Sequence, residues 1–439
     1  MASTATVRYE ISRDLPVVHE ADVMVIGGGP GGIGAAVMAA RAGARTLLVE
    51  RYGCLGGMAS MGEVHPFMPN HAAGRCLDRP VYVEWVRAMR RYAPGGGEVS
   101  DELLRHEDRC ISKDAAILAA EDLCQDAGAG LLYHHALADA LVADGSIDAV
   151  VLWSKSGYVA ARASVYVDCT GDGDLAALAG CEIEFGGPSG HCQPMTLCFK
   201  LAGVDASPMP DRTEISRLYD EAKARGEIDC PRHNVLLFDW PVEGVVHFNT
   251  TRVIHKRGTD GAELSAAEVE GRRQLRQYLA FFRRHVPGFE RCWVYSVAHH
   301  IGVRETRRVR GRAYLAREDF DGASKFPDAI ARVHYPLDIH NPDGSGTEHA
   351  SLPEGDWYEV PYGCIVPAGV DNLLVGARCI SVDHAVHSSM RVMPPACSVG
   401  QAAGLAAALA AKRSCAPAEL DGVEVRRELV ARGANLVEA

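Results

Sequence analysis

The strongest constraint in this chain is a glycine cluster set between a buried strand and a helix of small residues. Ala21 to Ile26 is a short apolar run rich in branched residues, the pattern of a strand covered on both faces. Gly27-Gly28-Gly29-Pro30-Gly31-Gly32 follows and satisfies Gly-x-Gly-x-x-Gly. An Ala-rich helix then runs to about Ala42, Gly43 ends it, and Arg45 to Glu50 reads as a second strand, giving a βαβ unit. The glycines have steric reasons: Gly27 permits the tight turn, Gly29 lets the backbone approach a pyrophosphate, and Gly32 lets helix and strand pack closely. The pyrophosphate would rest against the positive end of the helix, beside Pro30 and Gly31. Glu50 lies 23 residues after Gly27, where a carboxylate can accept the ribose hydroxyls of an adenosine. An acid there favours FAD or NAD over NADP.

A chain of 439 residues predicts two or three domains. Its 47% hydrophobic and 23% charged residues are ordinary for a globular protein and argue against disorder. The net charge of -12 repels phosphate backbones, which excludes a nucleic-acid partner needing a basic face. The longest apolar candidate, Ala396 to Ala411, contains Gln401 and is built of Ala and Gly, suiting helix packing inside a protein rather than a membrane span. Met1 to Asp14 carries charges where a signal peptide needs an apolar stretch, so a cytoplasmic location is expected. The 14 cysteines are scattered and none forms Cys-x-x-Cys, so they read as small buried hydrophobes and no metal site is expected.

Further along, a helix is predicted from Asp78 to Arg91, broken at Pro94-Gly95-Gly96-Gly97. A second runs from Ser112 to Ala127, with Ser112 as cap and Gly128 as stop. Strands from Leu131 to Asp168, with turns at Asp144-Gly145 and Ser156-Gly157, suggest an antiparallel meander. Gly186 to Gly190 reads as a linker. Beyond it come a strand over Val245 to Val253, a helix over Ser265 to His285, and strands near Trp293 to Ala298 and Gly302 to Tyr314. A polar loop covers Asn341 to Asp356, a buried strand Asn372 to Gly376, and a final helix Pro395 to Ala411. The expected order is a nucleotide-binding domain (18–185), an inserted substrate or cap domain (186–359) and a return to the first domain (360–415).

Three stretches together resemble flavoproteins with the glutathione-reductase-type FAD fold. The first is Val25 to Ala36 followed by Glu50-Arg51-Tyr52-Gly53-Cys54-Leu55-Gly56-Gly57-Met58-Ala59. The second is Asp168-Cys169-Thr170-Gly171-Asp172-Gly173-Asp174, and the third Asp371-Asn372-Leu373-Leu374-Val375-Gly376-Ala377-Arg378. Phe248 to Arg252, Ala267 to Arg273, Gly302 to Arg308 and Ser389 to Pro394 are similar to a broad FAD-dependent oxidoreductase family, some of whose members carry the label xanthan lyase. The resemblance covers about Val18 to Ala411. It implies an α/β fold with a three-layer FAD-binding domain, parallel sheet plus β-meander, and an inserted α+β substrate domain. It also implies FAD as cofactor, contacted by Gly27, Gly29, Pro30, Gly31, Gly32, Glu50, Arg51, Gly56, Gly57, Met58, Leu137, Thr170, Gly171, Gly376 and Arg378.

No second Gly-x-Gly-x-x-Gly unit after a strand provides for NAD(P)H, and no close cysteine pair suits a disulfide reductase. Substrate is therefore expected to meet the flavin directly, giving hydride to N5 or receiving it. Polar pocket candidates and the carbohydrate associations of the resembled family suggest oxidation of a small polar metabolite, such as a sugar, cyclitol or other polyol, with the electron acceptor open between oxygen and another carrier. Hydride removal beside a hydroxyl or amine needs a base for the proton. The fold places Asp383 to His387 near the flavin ring, so His384 is the first candidate and His387 the second. Arg304 is the choice for a catalytic polar wall over the flavin; Asn249, Arg252 and Arg391 are the substrate-binding candidates. Alternation along the predicted strand puts Asn249 and Arg252 on opposite faces. Two rivals are a monooxygenase that borrows NAD(P)H transiently and a non-catalytic FAD-binding protein. A homo-oligomer is left open.

Overall fold

A computed structural model describes residues 14–93 and 111–436; the Pro94 to Gly97 helix break lies outside them. Six strands make the path of the main sheet: β1 (Val17–Ile26), β2 (Thr46–Val49), β3 (Gly130–Leu132), β4 (Ala136–Ala143), β5 (Ser146–Ser154) and β6 (Gly157–Asp168). Their spatial order is β3-β2-β1-β6-β5-β4, and a return strand, Leu373–Val375, pairs with β6. The helix α1 (Pro30–Arg41) crosses from β1 to β2, which run parallel with Val23 opposite Thr46 and Ile26 opposite Val49.

Strand β6 belongs to two kinds of pairing. Its first half is antiparallel to β5, with Val150 opposite Ala161, and its end runs parallel to the return strand, with Val375 opposite Asp168. The parallel part is buried on both faces, which is why Val23 to Ile26 and Val165 to Val167 read as unbroken apolar runs. The meander closes through Asp144 and Gly145, both at positive φ (49° and 79°), the conformation a tight hairpin turn needs. Ser112 caps the helix Lys113–Asp126 by accepting from the Ala115 amide at 3.3 Å.

The apolar helix Met393–Arg413 lies in the main core against α1. Small residues bring the two backbones together. A β-carbon at Gly400 would stand 1.9 Å from the Gly31 carbonyl oxygen, and one at Gly404 would stand 2.0 Å from that of Ala35. Among the described residues no single helix is long and apolar enough to cross a membrane.

A second sheet is antiparallel, in the order Leu237–Asp239, Val245–Phe248, Phe199–Ala202, Trp293–Val297. The helices Arg212–Ala224 and Gly261–His285 enclose a separate core with it, built on Phe199, Tyr219, Phe248, Tyr278, Phe281 and Phe282. Buried side chains between Val309 and Val366 join the main core instead. One joint between the two cores is charged. Lys200, 2% exposed, pairs with the buried Glu63, which also has the Lys113 ammonium at 3.4 Å.

Three predicted elements change. The strand expected over Val245 to Val253 stops at Phe248, because side chains take over the backbone bonding: Thr251 Oγ1 accepts from the Leu197 amide at 2.7 Å, and Gln274 Oε1 accepts from the Arg252 amide at 2.8 Å. Of Gly302 to Tyr314 only Arg307–Val309 is strand, paired with Ile183–Phe185. The expected polar loop over Asn341 to Asp356 contains Thr347–Ala350, one arm of a hairpin with Leu337–His340.

Candidate functional site

The glycine turn sits where β1, β6 and the return strand end together. Gly27 has φ of 103° and its β-carbon would meet the Cys169 carbonyl oxygen at 2.4 Å; that of Gly32 would meet the Gly27 carbonyl at 1.9 Å, and that of Gly31 the Gly376 carbonyl at 2.0 Å. Protein backbone therefore explains these three glycines. Gly29 is different: its φ of -71° suits any residue, and the nearest atom to a β-carbon there is Gly57 Cα at 4.0 Å. Nothing in the protein forbids a side chain at Gly29. The open space in front of it, at the amino end of a 12-residue helix with no side-chain cap, fits a pyrophosphate. Glu50, 6% exposed, accepts from the Gly28 amide at 2.6 Å and the Tyr52 amide at 2.8 Å, which fixes its carboxylate beside the turn.

From this turn a single cavity of about 780 Å³ extends toward the second sheet. Gly27, Gly29, Pro30, Gly31, Glu50, Arg51, Gly57, Met58, Leu137, Thr170, Gly171 and Arg378 all line it. Thr170 is held by Asp168, whose Oδ1 accepts from the threonine hydroxyl at 2.7 Å and its amide at 3.0 Å. Arg378 pairs with Asp172 at 2.6 Å. Gly32, Gly56 and Gly376 stand behind the lining: Gly32 and Gly376 make close backbone approaches, and Gly56 takes φ of 105° at the start of the turn Gly57–Ala59.

The two histidines chosen as proton acceptors do not reach the cavity. His384 Nδ1 lies 2.8 Å from Glu305 Oε1, and its ring packs at Gly187 on the far side of that carboxylate. His387 is buried, has no hydrogen-bond partner among the described residues, and is held well below the usual imidazole range by burial and then by the Arg308 and Arg391 charges. The short helix His384–Met390 turns both rings into packing beside Arg308 rather than toward ligand space. His384 is thus placed against Glu305, and neither histidine is part of the cavity lining. The third signature was read as delivering the following loop to the flavin, but Ala377 and Arg378 line the cavity and His384 does not.

The opposite end of the cavity holds the polar candidates. Asn249, Arg252, Arg304 and Arg391 all line it, so the predicted separation of Asn249 and Arg252 onto two faces does not occur. The strand ends before them, and alternation ends with it. Arg304 Nη1 donates to the Pro194 carbonyl at 2.7 Å and to Thr196 Oγ1 at 2.5 Å, and its Nη2 lies 3.5 Å from Asn249 Oδ1. Arg252 Nη2 donates to the carbonyls of Asn341 and Gly346, each at 2.9 Å. Arg232, Asp338 and His340 are among the lining residues that had not been singled out. Asp338 and His340 alternate with Leu337 and Ile339 along a short strand, a period-two signal that was available; Arg232 sits in a loop that gave none.

Electrostatics ties this group together. Burial, and after it the charges of Arg391 and Arg232, push Arg304 down to about 9, still charged at neutral pH. Burial with the neighbouring Arg232 puts Arg252 at about 10. Burial alone would raise Asp338, but the His340 hydrogen bond and the Arg391 and Arg304 charges reverse it and hold the carboxylate below its usual range. His340 falls to about 3, from burial and then from Arg304, so it is neutral at pH 7.

Away from the cavity, His191, His255 and Asp343 form the one group of this kind among the described residues that could hold a metal ion, and all three are exposed.

The chain belongs to the FAD dependent oxidoreductase family, whose family model matches residues 22–429. It is accordingly an enzyme, and FAD is its cofactor. A 103-residue stretch is 31% identical to the soluble pyridine nucleotide transhydrogenase of Escherichia coli (strain K12 / DH10B), covering 23% of this chain and 21% of that protein. Among solved structures it is similar to a geranylgeranyl bacteriochlorophyll reductase-like protein from Thermoplasma acidophilum, with 14% identity over 95% of this chain and 84% of that one (TM-score 0.44). It is similar also to the myxobacterial chondrochloren halogenase CndH, with 13% identity over 94% and 79% (TM-score 0.43).

Proposed function

We propose that the protein oxidises a small polar metabolite by direct hydride transfer to the N5 position of FAD, the accompanying hydroxyl or amine proton passing to solvent, in a glutathione-reductase-type nucleotide-binding fold with the second sheet as cap. The observation that carries this reading is the single cavity running from the glycine turn to Arg304 and Asn249, which lets one substrate and the cofactor share a continuous space. Within that reading the amides around Gly29 to Gly31 hold the pyrophosphate, Glu50 the adenosine ribose, and Thr170, Gly171 and Arg378 the ribitol side. Bound FAD supplies the two-electron acceptor that no side chain can provide. Arg304, Asn249 and Arg252 orient the substrate, and Phe67, Val303 and Tyr335 help exclude water from the same space. The domain ranges 18–185, 186–359 and 360–415, a cytoplasmic location and a small-molecule substrate belong to the same proposal. The test is anaerobic mixing of the FAD-loaded protein with single metabolites while visible flavin absorbance is followed. Bleaching by a hydroxy or amino metabolite alone is expected. Reduction by NAD(P)H and by no metabolite would overturn direct transfer in favour of a monooxygenase.

A further inference from the structure

At the cap end of the cavity, four guanidinium groups share one carboxylate. Arg232, Arg252, Arg304 and Arg391 all line the wall, and Asp338 is the acid among them. Only Arg391 lies within ion-pair distance of it, at 3.5 Å; Arg232, Arg252 and Arg304 have no carboxylate within 4 Å among the described residues. The contrast with the arginines at the nucleotide end is direct, because Arg378 there is paired with Asp172 at 2.6 Å. Buried like charges are costly unless something neutralises them.

Donors are also left open. Nε of Arg252 and Nε of Arg391 are buried with no hydrogen-bond partner among the described residues. Arg252 is 3% exposed, and its backbone is pinned on both sides by Gln274, which accepts from the Arg252 amide at 2.8 Å and donates to its carbonyl at 2.9 Å. Arg391 makes only long contacts, 3.5 Å to Gln193 Oε1 and 3.4 Å to the Asp338 carbonyl. These are enclosed cations in the cavity wall with incomplete hydrogen bonding, and a guanidinium edge pairs best with a planar or tetrahedral oxyanion.

We infer that this end of the cavity is an anion subsite, and that the substrate is a small metabolite carrying an oxyanion, a carboxylate or a phosphate ester, gripped by Arg252 and Arg391 with Arg232 and Arg304 supplying charge. This narrows the polyol expectation to an acidic class, and it rests on the reading that the cap end of the cavity is substrate space.

The test reads binding rather than turnover. FAD-loaded protein is titrated at constant ionic strength with malonate, succinate, inorganic phosphate, glycerol and myo-inositol, following the flavin spectrum and the thermal midpoint. Saturable perturbation by malonate or succinate assigns the carboxylate class, and perturbation by phosphate alone assigns the phosphate ester; either supports the subsite. Arg252→Gln should weaken that anion at least tenfold with flavin content unchanged. Arg391→Lys, which keeps the charge and loses the fork, should fall between wild type and Arg391→Gln. Arg427→Gln, on an exposed side chain, should leave the titration as in wild type. Response to the neutral polyols without response to any anion overturns the inference, as does an anion response that both cavity variants retain. Because no turnover is read, a flavin that only NAD(P)H can reduce would defeat the hydride-transfer proposal and leave these titrations to decide the subsite by themselves.

Discussion

The two ends of the cavity use opposite materials. The nucleotide end is made of backbone: glycines pressed against carbonyls, amides at a helix start, one carboxylate fixed by two main-chain bonds. The cap end is made of long charged side chains brought from Arg232, Arg252, Arg304, Asp338 and Arg391, far apart in sequence. Backbone recognition fixes a ligand common to a whole family, since it depends on shape that few sequences can reproduce. Side-chain recognition can change one residue at a time without disturbing the fold. On the proposed reading, the difference assigns the general cofactor to one end and the particular substrate to the other.

The comparison is broken most severely at Gly29. Gly29→Val should leave purified protein without flavin, measured by acid release, while the flavin-free form stays folded and loses about 1 kcal/mol, since a β-carbon there meets nothing closer than 4.0 Å and valine caps a helix less well than glycine. Retained flavin would mean the open space at the turn serves something else. Next in size is the joint between the ends. Lys200→Met removes the nearer of the two ammonium partners of Glu63 and leaves only Lys113 at 3.4 Å, so it should cost up to about 3 kcal/mol in denaturant unfolding, with Glu63→Gln in the same chain restoring much of it. Failure of that rescue would show that packing, not charge, makes the joint.

A milder change separates shape from chemistry. Gly400→Ala adds one methyl group 1.9 Å from the Gly31 carbonyl and should cost about 1–3 kcal/mol while weakening FAD binding, because the helix seam carries the turn. A loss of stability with unaltered flavin affinity would uncouple the two. The smallest effect belongs to the cap end. His340 is neutral in the fold, at about 3, whereas the unfolded chain takes up a proton near 6.5. Its contribution is therefore complete above about pH 6.5 and shrinks as pH falls toward 3, by about 2 kcal/mol at about pH 5. Wild type should lose that much relative to His340→Asn between about pH 7.5 and about pH 5. Arg304→Gln should reduce the loss by letting the imidazole accept its proton at higher pH.

What the sequence disclosed follows the same division. Gly27 to Gly32 and Glu50 were legible because strict local geometry needs particular residues at particular spacings. The parallel strands and the hairpin at Asp144-Gly145 were legible for the same reason. The Gly56-Gly57 pair, Thr170-Gly171 and Arg378 were picked out only through the family resemblance. At the cap end Asn249, Arg252 and Arg304 were picked as polar residues, but the count of charges around them was not, since Arg232 and Asp338 arrive from unrelated segments. The direction of His384 was not legible, because nearness to a signature says nothing about which way a short helix turns a side chain. Glu305 and Gly187 decide that direction, and both come from elsewhere in the chain.

The seam between α1 and the helix Met393–Arg413 also sets an order of events during synthesis. Gly31 and Ala35 lie against backbone that emerges from the ribosome almost four hundred residues later. A nascent chain can form β1, α1 and β2 early, yet the wall behind its nucleotide turn does not exist until the helix Met393–Arg413 is made. The complete surround of the nucleotide turn is thus a late product of synthesis.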